Sequence, residues 1–201
     1  MKRIYVGSLC ILLIVVTSVL AAAGDVESKE EAETELPVKV HLKRTEPRTV
    51  ATMRHTGSFE ALPNVIGSLM EGIAEGNHLV AGPIMAVYYN DPRQVAEEEL
   101  LWEVMVPVAR PGRFGSVESG KMGFKYLDVM FVAYTYHIGP CENVAESYDL
   151  LFSWVARNEY KILGAPMEVY WSDPEQTPPE KLVTEIWVPV EEKKIPGGVI
   201  R

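Results

Sequence analysis

The sequence predicts an α+β fold: duplicated strand-helix-strand-strand modules forming one curved, mostly antiparallel sheet with two main helices, in a pseudo-two-fold arrangement. Three observations carry this. First, a gapless shift of 82 residues carries His55 onto His137, Gly57 onto Gly139, Met85 onto Met167, and Val106-Pro107-Val108 onto Val188-Pro189-Val190. About a third of positions 50–108 are identical to their counterparts, far above chance for a gapless shift. Second, β-rich segments with alternating side chains occupy matching places in both copies. Third, each copy carries one apolar stripe at helical spacing. The repeat is too long and too few-fold for a solenoid. Two copies folded together enclose one cleft where they meet.

The elements follow in chain order. Lys2 and Arg3 precede an apolar run over 4–23 that ends in Ala21-Ala22-Ala23. This reads as a secretory signal cleaved near Ala23, or as an uncleaved N-terminal anchor about one bilayer long. Cys10 follows Leu9 and sits too early for lipidation. Either reading puts the domain outside the cytoplasm, secreted or membrane-anchored by residues 4–23. Residues 24–37 hold six acids against Lys29, with no aromatic residue and no apolar period. They read as an acidic, disordered linker.

The domain is expected over 38–191, with halves at about 38–108 and 126–190 and a tail at 192–201. Residues 38–43 are read as an added strand of the first copy. Residues 49–55 and 130–137 are strands that end at Gly57 and Gly139. Helices follow. Leu62, Ile66, Leu69, Met70 and Ile73 form the first stripe; Val144, Tyr148, Leu151, Phe152 and Val155 form the second. Gly76-Asn77 stops the first helix, and Asn158 stands at the place of Gly76. Strands at 84–90 and 167–172 end at Asp91-Pro92 and Asp173-Pro174, because proline lacks a ladder donor and aspartate favours turns. The last strands are 101–108 and 183–190. Residues 109–125, rich in Gly and Ser, read as the linker between halves. Both helices are expected on one face of the sheet, so the other face must be covered or must bind something.

Charge and cysteine content exclude several functions. The formal net charge is −9, and removal of 1–23 takes away two bases and no acid. Such a surface argues against nucleic-acid binding, which draws on basic phosphate contacts. Only Cys141 survives signal cleavage, so no internal disulfide is expected. His41, His55, His78 and His137 are scattered, without Cys or His at ligand spacing, so no metal and no cofactor are expected. No nucleophile elbow, P-loop or dinucleotide-binding glycine run is present.

One position breaks the repeat in a chemically suggestive way. Glu168 stands where the first copy has Ala86. An acid in mid-strand, between Met167 and Val169, needs a partner or a raised pKa if it is buried. A cationic ligand is one such partner, and aromatic walls suit cations; an edge-strand Glu facing water, or one paired with a local Arg, is the plainer alternative. Strand geometry puts Tyr170 on the face of Glu168, and Tyr88 on that of Ala86. Tyr88 and Tyr170 are expected to line the cleft, because symmetry brings them together. Trp187, Tyr134 and Tyr136 are further candidates. Trp154 is read as packing. Glu103 and Glu185, also related by the repeat, are read as cross-strand partners for surface Lys or Arg. His55 and His137 are read as hydrogen-bonding their glycine turns.

Taken together these stretches resemble the GyrI-like small-molecule-binding family, which includes effector-binding domains of multidrug regulators. The residues are Met53-Arg54-His55-Thr56-Gly57-Ser58-Phe59 and Tyr136-His137-Ile138-Gly139-Pro140-Cys141-Glu142. They continue with Tyr88-Tyr89-Asn90-Asp91-Pro92, Pro166-Met167-Glu168-Val169-Tyr170 and Glu185-Ile186-Trp187-Val188-Pro189-Val190. The resemblance implies a cleft that admits flat, often cationic compounds, with Glu168 as counter-charge and Tyr170 beside it. Cys141 departs from the family, where an aromatic residue often follows the Gly-Pro. The N-terminal segment and the lack of a DNA-binding module also depart from the regulators.

The reading is a non-catalytic, extracytoplasmic protein that captures a small hydrophobic or cationic molecule. A hydrolase of electrophilic small molecules, with Glu168 as base and Tyr170 as acid, is the alternative, and a SOUL-like haem binder a second one.

Overall fold

The computed structural model describes residues 39–115 and 117–193. The expected signal or anchor, the acidic linker and the tail beyond 193 lie outside them. Eight strands and two helices make up the fold: β1 (His41–Arg44), β2 (Arg48–Thr56), α1 (Leu62–Glu75), β3 (Ile84–Tyr88), β4 (Leu101–Pro107), β5 (Met122–Leu127), β6 (Phe131–Ile138), α2 (Val144–Arg157), β7 (Met167–Tyr170) and β8 (Val183–Pro189). The strands form one sheet in the order β1-β6-β8-β7-β3-β4-β2-β5, and every ladder in it is antiparallel. The α+β class, the duplication and the two helices are as the sequence predicts.

The symmetry is closer than the repeat suggests. The order reads the same from either edge once β3 is matched with β7, β4 with β8, β2 with β6 and β5 with β1. The pseudo-two-fold axis therefore passes between β3 and β7. There Ala86 lies directly opposite Glu168, and Met85 opposite Val169.

Two expectations are corrected here. Residues 109–125 are not all linker, since β5 begins at Met122 and pairs with β2. Its Phe124 is buried against the α1 core, but Gly112, Gly115, Gly120 and Gly123 around it hide the strand period. The first strand also does not join its own copy. β1 pairs with β6 of the second half. Its counterpart β5, reached by the same shift that carries Lys43 onto Lys125, pairs with β2 of the first half. Each half thus lends its leading strand to the other.

Gly57 and Gly139 end β2 and β6 at φ values of 119° and 132°, a region that side chains with a Cβ rarely enter. Each backbone N–H then donates across the sheet, Gly57 to Leu100 and Gly139 to Leu182. A single 3₁₀ turn leads into each helix. Pro63 sits in the first turn of α1, where its missing N–H costs nothing. The helices end through Asn77 and Glu159, which take the left-handed conformation; Gly76 itself stays helical.

α1 packs on β2 and β4, and α2 on β6 and β8. Leu69 and Ile73 bury themselves against Ala51, Trp102, Val104 and Val106. Leu151 and Val155 do so against Ala133, Ile186 and Val188. Each such side chain contributes about 2 kcal/mol. The main helix contacts thus fall on the outer strand pairs, and the central strands β3 and β7 lie between them.

The opposite face is covered by the sheet itself. The Arg48 guanidinium of β2 lies 5.8 Å from the Trp187 ring centre of β8. Those strands are four places apart, roughly 19 Å on a flat sheet, so the sheet curls. Val50, Met85, Met105, Val132 and Val169 become fully buried on its inner side. Among the described residues no helix is long and apolar enough to cross a membrane.

Candidate functional site

Two adjacent strands, β3 and β7, carry the candidate site on the side of the sheet where the helices lie. Alternation on β7 turns Glu168 and Tyr170 toward the helices, and alternation on β3 does the same for Ala86 and Tyr88. Ala86 has only a methyl group, so the space above it belongs to its partner in the ladder. Glu168 fills that space and is 8% exposed.

Three phenol hydroxyls hold its carboxylate. Tyr170 donates to Oε2 at 2.8 Å. Tyr148, reaching down from α2, donates to Oε1 at 2.9 Å. Tyr88 stands 3.2 Å from Oε2 and 2.8 Å from the Tyr170 hydroxyl. The two tyrosines that the repeat relates thus meet each other over the axis. Phe59 packs edge-on against Tyr88, 5.2 Å between centres. Its counterpart is Cys141, a free thiol too short to give the same cover on the other side.

Among the described residues no Lys or Arg forms an ion pair with Glu168. Burial pushes its carboxyl above the ordinary range. The hydroxyls of Tyr170, Tyr148 and Tyr88 and the nearby His137 oppose this without reversing it. Burial and the carboxylate together drive the three phenols well above their ordinary value. All three hold their protons near neutral pH and serve as donors.

The other two buried carboxylates lie on the inner face and are answered by the protein. Glu103 accepts from Thr52, from Tyr89 and, at 2.9 Å, from Lys125, with Arg54 at 3.8 Å. Burial would raise its pKa, but these hydrogen bonds and the charge of Lys125 hold it below the ordinary value. Glu185 pairs with Lys43 and accepts from the Trp171 indole at 3.1 Å. Both glutamates are fully buried, and their lysines come from the exchanged strands. The expectation of surface pairs is thus corrected: the partners are lysines, and the pairs are internal.

Trp187, Tyr134 and Tyr136 are not brought to Glu168. The alternation that turns Glu168 and Ile186 toward α2 sends Trp187 to the inner face, and Tyr134 and Tyr136 follow it across the ladder. Trp187 and Tyr134 do enclose a cation, but it is Lys43, 4.4 Å from each ring centre. Tyr136 is 44% exposed, opposite Glu185. Conversely, the sequence placed Tyr148 in the apolar stripe of its helix. Its counterpart in the first copy is Ile66, and that exchange of an aliphatic residue for a phenol was the available signal.

His137 is engaged on both ring nitrogens. Nε2 lies 3.0 Å from the Pro140 carbonyl and Nδ1 3.1 Å from the Ser147 hydroxyl. A carbonyl only accepts, so Nε2 carries the proton. Among the described residues, no three His, Cys, Asp or Glu side chains gather as a metal ion would require.

The model of the GyrI-like small molecule binding domain matches residues 30–191. The chain belongs to this family. Solved structures agree on the fold of this GyrI-like domain. The EcmrR C-terminal domain is 19% identical with a TM-score of 0.68, covering 79% of this chain and 100% of that one. EcmrR in its complex with DNA gives the same identity and TM-score, covering 78% of this chain and 58% of that one. The chain therefore spans under two thirds of that regulator's length. A hydrolase from Listeria innocua is 11% identical at a TM-score of 0.55, covering 76% and 92%. No curated protein matches by sequence.

Proposed function

We propose that this GyrI-like domain captures a flat, hydrophobic cation in the groove between α1 and α2, with Glu168 as its counter-charge. The observation that carries this is the contrast among the three buried carboxylates of the described residues. Glu103 and Glu185 each have a lysine, whereas the hydrogen bonds to Glu168 come from tyrosine hydroxyls. A buried carboxylate without a cation is costly, and a ligand's positive charge supplies what the fold omits. Tyr88, Tyr170 and Tyr148 add ring faces and edges that suit such a ligand. The phenol hydroxyls can also accept, so the site tolerates a protonated Glu168 while empty.

Binding is favoured over hydrolysis by the state of the phenols. A general acid works best with a pKa near the operating pH, and Tyr170 is pushed far above it. Axial ligation of haem is disfavoured because both nitrogens of His137 are occupied.

The basic and apolar N-terminal segment supports an extracytoplasmic location. Sequencing the mature N-terminus and fractionating cells tests that part. The binding reading is tested by fluorescence titration of cationic dyes, repeated with Glu168→Gln. Loss of a buried counter-charge is expected to weaken binding by about tenfold or more. Equal affinity in the variant removes the role given to Glu168.

A further inference from the structure

The inner face of the curled sheet contains a hollow of about 430 Å³, within the range of small-molecule sites. It lies across the sheet from Glu168. Val87, Met105, Leu127, Met130 and Met167 form apolar walls, and Tyr89 and Lys125 bring polar groups. Val129 and Leu163 line it while remaining 48% and 59% exposed. Exposed apolar side chains around an apolar hollow mark an entrance.

The repeat shows what makes room for the hollow. The counterpart of Met105 is Trp187. There the indole is 3% exposed, with Lys43 4.4 Å and Arg48 5.8 Å from its ring centre. In this half a thioether replaces the indole, and Met130 stands at the counterpart of Arg48. The bulk that closes one half is absent from the other. Methionine walls adapt readily to the shape of an apolar guest.

The charge near the hollow is net positive. Glu103 is a single carboxylate facing two cations, Lys125 and Arg54. Lys125 uses one of its three protons on Glu103, and its side chain is 28% exposed. Glu192 also lines the hollow but is occupied by Arg44 at 2.6 Å. A surplus positive charge therefore borders an otherwise apolar space.

We propose that this hollow is a second small-molecule site, separate from the Glu168 groove, that takes an amphiphile with an anionic head. The apolar chain lies among the methionines, and a carboxylate meets the Lys125 ammonium.

The test is calorimetric titration of the full chain with decanoate and with decanol. Decanoate is expected to bind saturably, one per chain, and decanol about tenfold more weakly, the scale of one charge-assisted hydrogen bond. Met105→Trp restores the bulk found in the other half and should abolish binding. Leu163→Glu alters only the exposed rim, so the fold is retained; it should weaken decanoate by about tenfold or more. Glu168→Gln should leave decanoate binding unchanged. The proposal is overturned by absence of saturable binding, by decanol binding as tightly as decanoate, by full affinity in Leu163→Glu, or by loss of binding in Glu168→Gln.

Discussion

Ala86 and Glu168 face each other across the β3–β7 ladder, and each is the other's counterpart in the repeat. The duplication thus places a methyl-for-carboxylate exchange beside its own symmetry axis. A second glutamate at position 86 would set two carboxylates side by side. A second alanine would remove the carboxylate that the three tyrosine hydroxyls share. The asymmetry makes a single, centred charge.

Replacement of Ala86 tests the space this exchange creates. Ala86 is fully buried, and Ala86→Leu would overpack the floor at a cost of about 1–3 kcal/mol. The variant should remain folded but lose dye binding in the groove. Chemical denaturation and dye titration on the same sample separate the two effects.

The pH dependence of stability has opposite signs at two glutamates. Glu168 has its folded pKa raised, so the folded state holds that proton more tightly than the unfolded chain. Its contribution is fully present below the unfolded pKa and is lost as pH rises through the folded value. Glu168→Gln should therefore raise the melting temperature near pH 7 and reduce the fall in stability above pH ~5, the ordinary carboxylate region. A melting curve at each half pH unit reads this directly.

Glu103 behaves the other way. Its folded pKa is lowered, so its stabilisation is present above the unfolded pKa and disappears as pH falls through the folded value. Glu103→Gln should flatten the acid limb of the stability profile, and Glu168→Gln should leave that limb in place.

The exchanged strands predict a coupled pair of variants. Lys125→Met leaves Glu103 buried with a weaker set of partners. It should cost about 3 kcal/mol, at the low end for a broken buried pair because Lys125 keeps some solvent contact. Adding Glu103→Gln should recover much of that loss. Lys43→Met and Glu185→Gln should repeat the pattern in the other half, as measured by a double-mutant cycle in urea.

Much of this was legible in the residues. The repeat gave the fold, the axis and the meeting of Tyr88 with Tyr170, because symmetry fixes which side chains share a centre. Strand alternation placed Glu168 with Tyr170. What failed was long-range pairing. Nothing local in His41–Arg44 or Met122–Leu127 says which half each strand will join, and glycines obscured the second of them. Strand exchange in turn decided that Lys43 would occupy the box of Trp187 and Tyr134. Alternation already separates Trp187 from Ile186, but only the register of β7 on β8 tells which of the two lies beside Glu168. Tyr148 was hidden for a different reason: a phenol on a helix stripe reads as packing until its hydroxyl is seen to find an acceptor.

The groove's charge balance is best tested by following the Glu168 carboxyl itself, by NMR titration of ¹³C-labelled glutamate with and without a saturating hydrophobic cation. Without the cation its pKa should lie above the ordinary range, and on binding it should fall while the Glu103 signal holds still. A Glu168 titration curve that does not move when the cation binds would contradict the assignment of this groove as a cation site.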